Sequence, residues 1–313
     1  MRPAATGPVL VLRALGVGDL ATAVPALRGL KAAAGRRPVV LAAPAWLAPL
    51  VRLTGAVDRH LPVAGLAPVR WPVPPGCLAV NLHGRGPQSH RLLRAAEPAT
   101  LYGFACPAAG HRHGPAWRRD EHEVRRWCRL LGWYGVAADP GDLSLLPPPA
   151  APVPGGAVVV HPGAKAPQRR WPAARFAAVA RELAGYGHQV VVTGSLGEAG
   201  LARRVARRAG LPPAAVLAGR TGLGELAALV AHASLVVSGD TGIAHLATAY
   251  RTPSVVLFGP VPPEWWGPPP RPQHRALWRP VAAAPPAGGA GPHPALRAIS
   301  VAEVVTAALA LAR

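Results

Sequence analysis

Residues 235–249 read LVVSGDTGIAHLATA, and this stretch decides the fold that the sequence predicts. The apolar run at its start is typical of a buried strand, and Asp240 and Thr241 are residue types that commonly cap the start of a helix. Gly242 has no side chain, so a ligand can approach the backbone closely. Because phosphates bind helix N-termini at the carboxyl ends of parallel strands, the stretch predicts a diphosphate site. The alternative is an ordinary capped helix with His245 as a buried polar residue.

Short runs rich in Val and Leu alternate with longer helical stretches on both sides of this segment, as in parallel sheets covered by helices. At 313 residues the chain is long enough for two cores of about 150 residues each. The strands predicted from these runs are 9–13, 39–43, 78–82, 157–161, 189–193, 215–217, 235–238 and 254–258. The predicted helices are 22–34, 46–53, 120–131, 173–184, 198–209, 223–231, 243–250 and a last one from residue 300. The fold class is therefore α/β.

Proline and glycine divide the chain near its middle. Residues 139–156 read DPGDLSLLPPPAAPVPGG, a composition that leaves no room for a regular helix or strand. We predict an N-terminal domain at residues 1–140, a Pro/Gly-rich linker at 141–156, a C-terminal domain at 157–299 and a terminal helix at 300–313.

The formal net charge of +20 comes almost entirely from arginine, since lysine occurs only at Lys31 and Lys165. Dense positive charge attracts nucleic acids and anionic lipids. The arginines are scattered through the predicted helices, however, and no zinc finger, recognition helix or aromatic RNA platform is recognisable. A basic nucleic-acid-binding protein is therefore the alternative hypothesis, no specific nucleic acid is expected as a partner, and peripheral contact with an anionic membrane is compatible with the charge.

The three cysteines are odd in number and widely spaced, which indicates buried thiols in a reducing compartment rather than a disulfide framework. Arg13 and Asp19 interrupt the apolar run near the N-terminus, so a signal peptide is not expected. The last apolar segment, 301–312, is too short to cross a bilayer. We expect a cytoplasmic protein that can act at the inner face of the membrane.

Four motifs in order resemble glycosyltransferase family 9, the ADP-heptose lipopolysaccharide heptosyltransferases. VLVLRALGVGDLATAVPALRGLKAA from Val9 is similar to the opening strand, glycine loop and helix of the family. VVVHPGAKAPQRRWPAARFAAVARELAGYGHQVVVTGSLGE follows from Val158, and LAGRTGLGELAALVAHASLVVSGDTGIAHLATAYRTPSVVLFGP from Leu217. HPALRAISVAEV closes the resemblance from His293, whereas the region of about 57–154 has no firm match.

The resemblance implies the GT-B fold, in which two Rossmann-like parallel-sheet domains face each other across a cleft. It places the acceptor on the N-terminal side and the nucleotide sugar on the C-terminal side. It also implies inverting, metal-independent transfer with no cofactor. The sequence agrees on one point, because it contains no Asp-x-Asp pair that would suit a divalent cation bridging to a diphosphate.

Asp19 matches the acidic residue of the family's opening motif, and we expect it to be the general base of the transfer. It follows the first predicted strand, in a glycine loop with Gly16 and Gly18. An inverting displacement needs one carboxylate to take the proton of the acceptor hydroxyl. The alternative role, from local sequence alone, is a helix-capping aspartate.

The same resemblance suggests residues for the donor site. Arg169 stands where family members commonly have a lysine, two residues before Trp-Pro, and with Lys165 it would neutralise the diphosphate. Asp240, Thr241, Gly242 and His245 would hold the diphosphate sugar. Glu198 corresponds to the family's acid that contacts the nucleoside ribose, although its capping-box spacing from Ser195 explains it equally well.

The sequence therefore predicts a glycosyltransferase that moves a sugar, with heptose as the family's sugar, from a nucleotide diphosphate to a glycan or glycolipid hydroxyl. Its partners are a nucleotide-sugar donor, ADP-heptose in the family, and an acceptor of the lipopolysaccharide core or another cell-envelope glycan. A catalytically inactive family member acting as a binding partner is a further alternative. His83 follows the third predicted strand, and the sequence favours a histidine with satisfied hydrogen bonds over an acceptor contact.

Overall fold

The structure is a computed structural model that describes residues 7–281 and 291–312. The chain divides into two compact units, Met1–Leu146 and Pro147–Arg313. Each unit contains a five-stranded sheet in which all the paired strands run parallel. The predicted α/β fold class, with two Rossmann-like parallel-sheet domains, is confirmed.

The sheet of the first unit has the strand order β3-β2-β1-β4-β5. Its strands are β1 (Val9–Leu12), β2 (Val39–Ala43), β3 (Arg59–Pro62), β4 (Leu78–Asn81) and β5 (Thr100–Tyr102). Its helices are α1 (Val17–Thr22), α2 (Val24–Ala34), α3 (Ala48–Leu53), α4 (Gln88–Arg94) and α5 (Glu123–Trp133). Every residue of β1, β2 and β4 is buried, which explains why these strands are continuous apolar runs.

The sheet of the second unit has the order β10-β9-β8-β6-β7. Its strands are β6 (Val158–His161), β7 (Val190–Val192), β8 (Leu235–Gly239), β9 (Ser254–Leu257) and β10 (His274–Leu277). Its helices are α6 (Ala173–Gly185), α7 (Ala199–Ala209), α8 (Leu223–Ala231), α9 (Gly242–Tyr250), α10 (Pro263–Trp266), α11 (Pro294–Ala298) and α12 (Val301–Leu311).

Each sheet has one point where the direction of strand succession reverses. In the first unit the reversal lies between β1 and β4, which pair with Leu12 opposite Asn81. In the second it lies between β6 and β8, where His161 is opposite Ser238. In open α/β sheets the crevice outside the carboxyl ends of such strands is the usual ligand site. The loops after β1, β4, β6 and β8 are therefore the first places to look for function.

The C-terminal segment belongs to the core of the second unit. Val304 and Ala308 of α12 are fully buried in the same apolar cluster as Trp171. The indole Nε1 of Trp171 donates a hydrogen bond to the carbonyl of Ile299, 3.2 Å away. Ser300 and Glu303 form the capping box at the start of α12 that their spacing predicts. Trp171 and α12 thus help to hold the loop after β6 in place.

Some sequence predictions are wrong in detail. The stretch 215–217 is not a strand, since only a single bridge joins Val216 to Val192 after a short 3-10 turn. The helix predicted at 22–34 is two helices that meet at Ala23 and start at Val17. Three strands, β3, β5 and β10, were not predicted. Within residues 7–281 and 291–312, no helix has the length and apolarity needed to cross a membrane.

Candidate functional site

The loop between β1 and α1 fixes the carboxylate of Asp19 at the reversal point of the first sheet. The Oδ2 atom of Asp19 accepts a hydrogen bond of 3.0 Å from the backbone N–H of Gly16. The Oδ1 atom lies 3.6 Å from the guanidinium of Arg13, and the side chain is 29% exposed. Asp19 is therefore held on one side by the protein, with part of its carboxylate open to solvent.

Arg13 is fully buried directly beneath this loop, and it connects four parts of the first unit. Its Nε donates to the carbonyl of Asp19 over 2.8 Å, and its Nη1 to the carbonyl of Leu82. Its Nη2 lies 3.1 Å from the carboxylate of Glu123, and its guanidinium stands 4.6 Å from the ring centroid of Trp127. A buried arginine is tolerated here because its hydrogen-bonding capacity is used.

Glu123 completes the charge balance of this buried network. One of its carboxylate oxygens accepts from the indole Nε1 of Trp127 over 2.9 Å, and the other pairs with Arg126. Arg126 in turn stacks over Trp117 at 4.5 Å and donates to backbone carbonyls of the preceding loop. The network links the Asp19 loop to α5 through residues more than one hundred positions apart in sequence.

His83 follows β4 and lies next to the Asp19 loop. Its Nδ1 accepts a hydrogen bond of 3.2 Å from the backbone N–H of Ala14, and its own N–H donates to the side chain of Asn81. Burial and, to a smaller extent, the positive charge of Arg13 lower the pKa of His83 to about 4, although the negative charge of Asp19 opposes both effects. His83 is therefore neutral at pH 7.

The two glycines of this loop have different surroundings. Gly16 adopts an ordinary extended conformation, and a Cβ placed on it would meet only the Asp19 carboxylate at 3.4 Å. Gly18 lies within α1, next to Asp19. The N–H of Gly16 is thus used to hold Asp19, and its backbone conformation is open to other residues.

In the second unit, the loops after β6 and β8 meet through an ion pair. The guanidinium of Arg169 lies 3.2 Å from the carboxylate of Asp240, with side-chain exposures of 35% and 9%. Gly239 packs closely under the same loop, because a Cβ there would lie 3.3 Å from the carbonyl of Arg169. The structure therefore brings together Arg169 and Asp240, two of the residues that the sequence selects for the donor site.

The start of α9 follows directly from Asp240. Thr241 is extended and its hydroxyl donates to the carbonyl of Gly239 over 3.4 Å, so it does not cap the helix with its side chain. The first backbone N–H groups of a helix have no intrahelical acceptor, which applies here to Gly242 and Ile243. These donors and the positive end of the helix dipole form a suitable place for an anion.

His245 lies one turn into α9, half-buried, with its ring 5.8 Å from that of Trp266 in an edge-to-face arrangement. Lys165, in the loop after β6, is exposed, and no described residue pairs with its ammonium group. The contacts thus place His245 against an aromatic wall, whereas Lys165 has the freedom to reach a ligand.

Glu198 caps a short 3-10 turn and lies near the charged or titratable side chains of His161 and Arg170. Its Oε2 accepts hydrogen bonds of 2.8 Å from both the backbone and the hydroxyl of Ser195, which is the predicted capping box. Burial by itself would raise the pKa of Glu198, but these hydrogen bonds and the charges of His161 and Arg170 lower it. Burial lowers the pKa of His161, whose Nδ1 is 3.0 Å from the hydroxyl of Thr193.

Gly163 and Arg170 both lie close to Glu198. A Cβ on Gly163 would collide with the carboxylate of Glu198, so only glycine allows this approach. Arg170 donates to the carbonyl of Ala164 over 2.7 Å and lies beside Glu198 in a pocket of about 390 Å³. Gly163 and Arg170 both lie in the segment between β6 and α6, but their proximity to Glu198 depends on the packing of β6 against β7.

Arg13 and Glu123 were missed as parts of a site, and His83 was considered as an acceptor contact but not favoured. A single arginine at the end of an apolar strand, as in VLVLR, was the only available signal. Its acidic partner is far away in sequence, in the region without a recognisable motif. The association of Arg13 with Glu123 could not be predicted without knowing where α5 packs in the first unit.

Comparisons with known proteins show what this chain is similar to. A family model described as glycosyltransferase family 9 (heptosyltransferase) matches residues 144–286. Lipopolysaccharide heptosyltransferase 3 of Escherichia coli is 36% identical over 113 residues, which is 36% of this chain and 33% of that protein. Lipopolysaccharide heptosyltransferase 1 of Pseudomonas aeruginosa is 39% identical over 100 residues, covering 32% and 27% of the two chains. The matched region spans about a third of the length of these curated relatives.

Solved structures extend the similarity to nearly the whole chain. The E. coli ADP-heptose LPS heptosyltransferase II has a TM-score of 0.74 and 22% identity, covering 97% of this chain and 98% of that one. A family 9 glycosyl transferase from Veillonella parvula has a TM-score of 0.77 and 20% identity, covering 98% and 97%. At this identity the likeness shows the fold, and it confirms the predicted GT-B class.

Proposed function

We propose that this chain, whose residues 144–286 match the model of glycosyltransferase family 9, transfers a sugar from a nucleotide diphosphate to a hydroxyl of a cell-envelope glycan. The observation that carries the proposal is the position of the candidate residues. Asp19 lies at the reversal point of the first sheet, and Arg169 and Asp240 lie at that of the second. These are the positions at which open α/β sheets bind ligands.

In the proposed reaction, Asp19 takes the proton of the acceptor hydroxyl while its oxygen attacks the anomeric carbon of the donor sugar. The bond from that carbon to the phosphate oxygen breaks, and the nucleoside diphosphate leaves with the electron pair. The hydrogen bond from Gly16 and the charge of Arg13 keep Asp19 in one orientation without covering it. This pre-organisation is what a general base requires, and such a base contributes about 10²–10⁴-fold to a rate.

The negative charge that grows on the leaving diphosphate needs fixed positive partners. The N–H groups at the start of α9 supply two of them, in the segment Thr241 to Ile243. The side chain of Arg169 is 35% exposed, and its pairing with Asp240 leaves other guanidinium N–H groups available for a phosphate. Lys165 adds a second cation from the same loop. His245 and Trp266 would line the sugar side of this site.

Glu198 would bind the ribose of the nucleotide. Its Oε2 is occupied by Ser195, so the Oε1 atom beside Gly163 is the one we assign to the ribose hydroxyls. Because the pKa of Glu198 is lowered, the group is an ionised acceptor at neutral pH.

ADP-heptose is the donor we propose, with a lipopolysaccharide core glycolipid as the acceptor. The support is that the matched relatives are lipopolysaccharide heptosyltransferases and that one solved neighbour is an ADP-heptose enzyme. A glycolipid acceptor would place the protein in the cytoplasm at the inner face of the membrane, where its net charge of +20 favours anionic headgroups. None of these relatives is a nucleic-acid-binding protein, so that alternative gains no support.

Thermal unfolding with ADP, UDP and GDP sugars tests the donor. A ligand at one hundred times its Kd stabilises by about 2.7 kcal/mol, which corresponds to roughly 5–10 °C for a unit of this size. ADP-heptose should give such a shift for the wild type and much less for Arg169→Ala. Arg181→Ala removes an exposed arginine of α6 and should behave as the wild type. Equal shifts for both variants, or no shift with any nucleotide sugar, would contradict the proposal.

A further inference from the structure

The loop after β4 presents a histidine to the same edge of the sheet as Asp19. β1 and β4 are neighbouring strands in register, so their ends lie about 4.8 Å apart. The N–H of Ala14 binds His83 and the N–H of Gly16 binds Asp19, two residues further along the same loop. Arg13 fixes both sides, since it donates to the carbonyls of Asp19 and Leu82. Asp19 and His83 therefore form one constellation.

The hydrogen bonds decide which nitrogen of His83 carries the proton. An N–H donor from the backbone approaches Nδ1, so Nδ1 must be the acceptor. In a neutral imidazole the other nitrogen, Nε2, then carries the hydrogen. No described residue accepts a hydrogen bond from Nε2, although the ring is only partly exposed. The fold thus orients this N–H donor, which has no acceptor among residues 7–281 and 291–312.

Burial and two charged neighbours bear on the state of this ring. Burial and the charge of Arg13 lower the pKa of His83, the charge of Asp19 raises it, and the net value is about 4. The imidazole therefore stays neutral across the physiological range and does not form a tight ion pair with Asp19. Asp19 remains available for its own proton transfer.

We propose that the Nε2–H of His83 donates a hydrogen bond to an oxygen of the acceptor sugar adjacent to the attacking hydroxyl, and so selects and orients that sugar. This inference rests on the proposed glycosyl transfer, and within it His83 is a binding and specificity residue. The proton of the attacking hydroxyl goes to Asp19. His83 only donates a hydrogen bond to the acceptor and takes no part in the covalent step. The acceptor must therefore carry a second oxygen next to the attacking hydroxyl, as a polyhydroxylated sugar ring does.

Two amide variants separate this role from a structural one. In His83→Asn the amide oxygen takes the position of Nδ1, so the bond to Ala14 is kept and the outward donor is lost. In His83→Gln the amide nitrogen takes the position of Nε2, so the outward donor is kept. If His83 binds the acceptor, the Asn variant should lose affinity for it and the Gln variant should retain most of that affinity. A purely structural role predicts the reverse order.

The measurement is transfer from ADP-heptose to heptose-deficient lipopolysaccharide, with acceptor and donor KM determined separately. His83→Asn should raise the acceptor KM by about tenfold, the upper range for one lost hydrogen bond, and leave the donor KM unchanged. His232→Asn, at an exposed histidine of the second unit, is the control. Equal acceptor KM values for the Asn variant and the wild type would overturn the inference. Absence of turnover in the wild type would instead contradict the proposed function.

A second measurement needs no substrate. Nitrogen-15 NMR of the histidine rings reports which ring nitrogen is protonated, and the assignment of His83 comes from the spectrum of His83→Asn. We expect a neutral ring with the proton on Nε2 between pH 5 and 8, because its pKa lies at about 4. A ring protonated on Nδ1, or an imidazolium at pH 7, would overturn the inference even if the wild type transfers sugar.

Discussion

Replacing Arg13 by methionine should destabilise the first unit by about 3–5 kcal/mol, the usual cost of removing one partner from a buried ion pair. The contacts of Arg13 support this magnitude. The carbonyls of Asp19 and Leu82 would lose their donor in a buried place, at about 1–3 kcal/mol each. The stacking of the cation on Trp127 adds to the loss. Methionine retains the apolar volume of the side chain, so a cavity contributes little.

Urea denaturation followed by tryptophan fluorescence measures this loss, and hydrogen exchange of peptides from β1 and β4 assigns it to the first unit. The expected fall in melting temperature is roughly 6–20 °C. Lys31→Met is the matched control, because Lys31 pairs with Asp58 on the surface and such pairs contribute about 0–1 kcal/mol.

A double-mutant cycle isolates the buried pair from the other contacts. In combination with Glu123→Gln, the cost of Arg13→Met should be smaller by at least about 1 kcal/mol than in the wild type, since the two side chains lie 3.1 Å apart. If Arg13→Met cost no more than Lys31→Met, the conclusion that Arg13 organises the Asp19 loop would be refuted.

Two further predictions concern acid stability and the donor site. Burial lowers the pKa of three histidines, His83, His90 and His274, from 6.5 to about 4. Between these pH values the unfolded chain binds more protons than the folded chain. The free energy of unfolding should therefore fall as the pH falls from 6.5 to 4. Urea titrations at pH 7 and pH 5 check this, and equal or greater stability at pH 5 would contradict it. Gly163→Ala should displace the carboxylate of Glu198 and weaken ADP binding by about tenfold, the loss of roughly one charged hydrogen bond, as measured by calorimetry. Gly197→Ala, where a Cβ meets only the Ser195 hydroxyl at 4.0 Å, should bind as the wild type.

The central strands could be predicted because burial on both faces makes them continuous apolar runs. This holds for β1, β2, β4, β8 and β9, all of which are fully buried. The strands β3 and β10 were missed because they lie at sheet edges and are partly exposed, with polar residues such as Arg59 and Arg275. The apolar residues at 215–217 led to a wrong strand prediction, because this stretch forms only a single β-bridge to β7.

In the candidate site, contacts between residues close in sequence could be predicted, whereas contacts between distant residues could not. Capping boxes such as Ser195 with Glu198 depend on residues three positions apart, and their spacing is visible in the sequence. The pairing of Arg169 with Asp240 joins two loops that only the order of β6 and β8 brings together. The sequence favoured a His83 whose hydrogen bonds are satisfied, and this holds for its Nδ1 atom, which accepts from Ala14, but not for its Nε2 atom. Proximity across a sheet requires topology, which periodicity does not supply.

The most direct test is Asp19→Asn, assayed with ADP-heptose and heptose-deficient lipopolysaccharide. Asparagine keeps the size of the side chain and an oxygen for the N–H of Gly16, so the loop should remain in place. Transfer should fall by about 10²–10⁴-fold, because the amide cannot take a proton from the acceptor hydroxyl. Binding of ADP-heptose, measured by calorimetry, should stay within about twofold of the wild type, since a twofold change is well under 1 kcal/mol. Unchanged turnover in this variant would remove Asp19 from the mechanism and contradict the proposed function of the first unit.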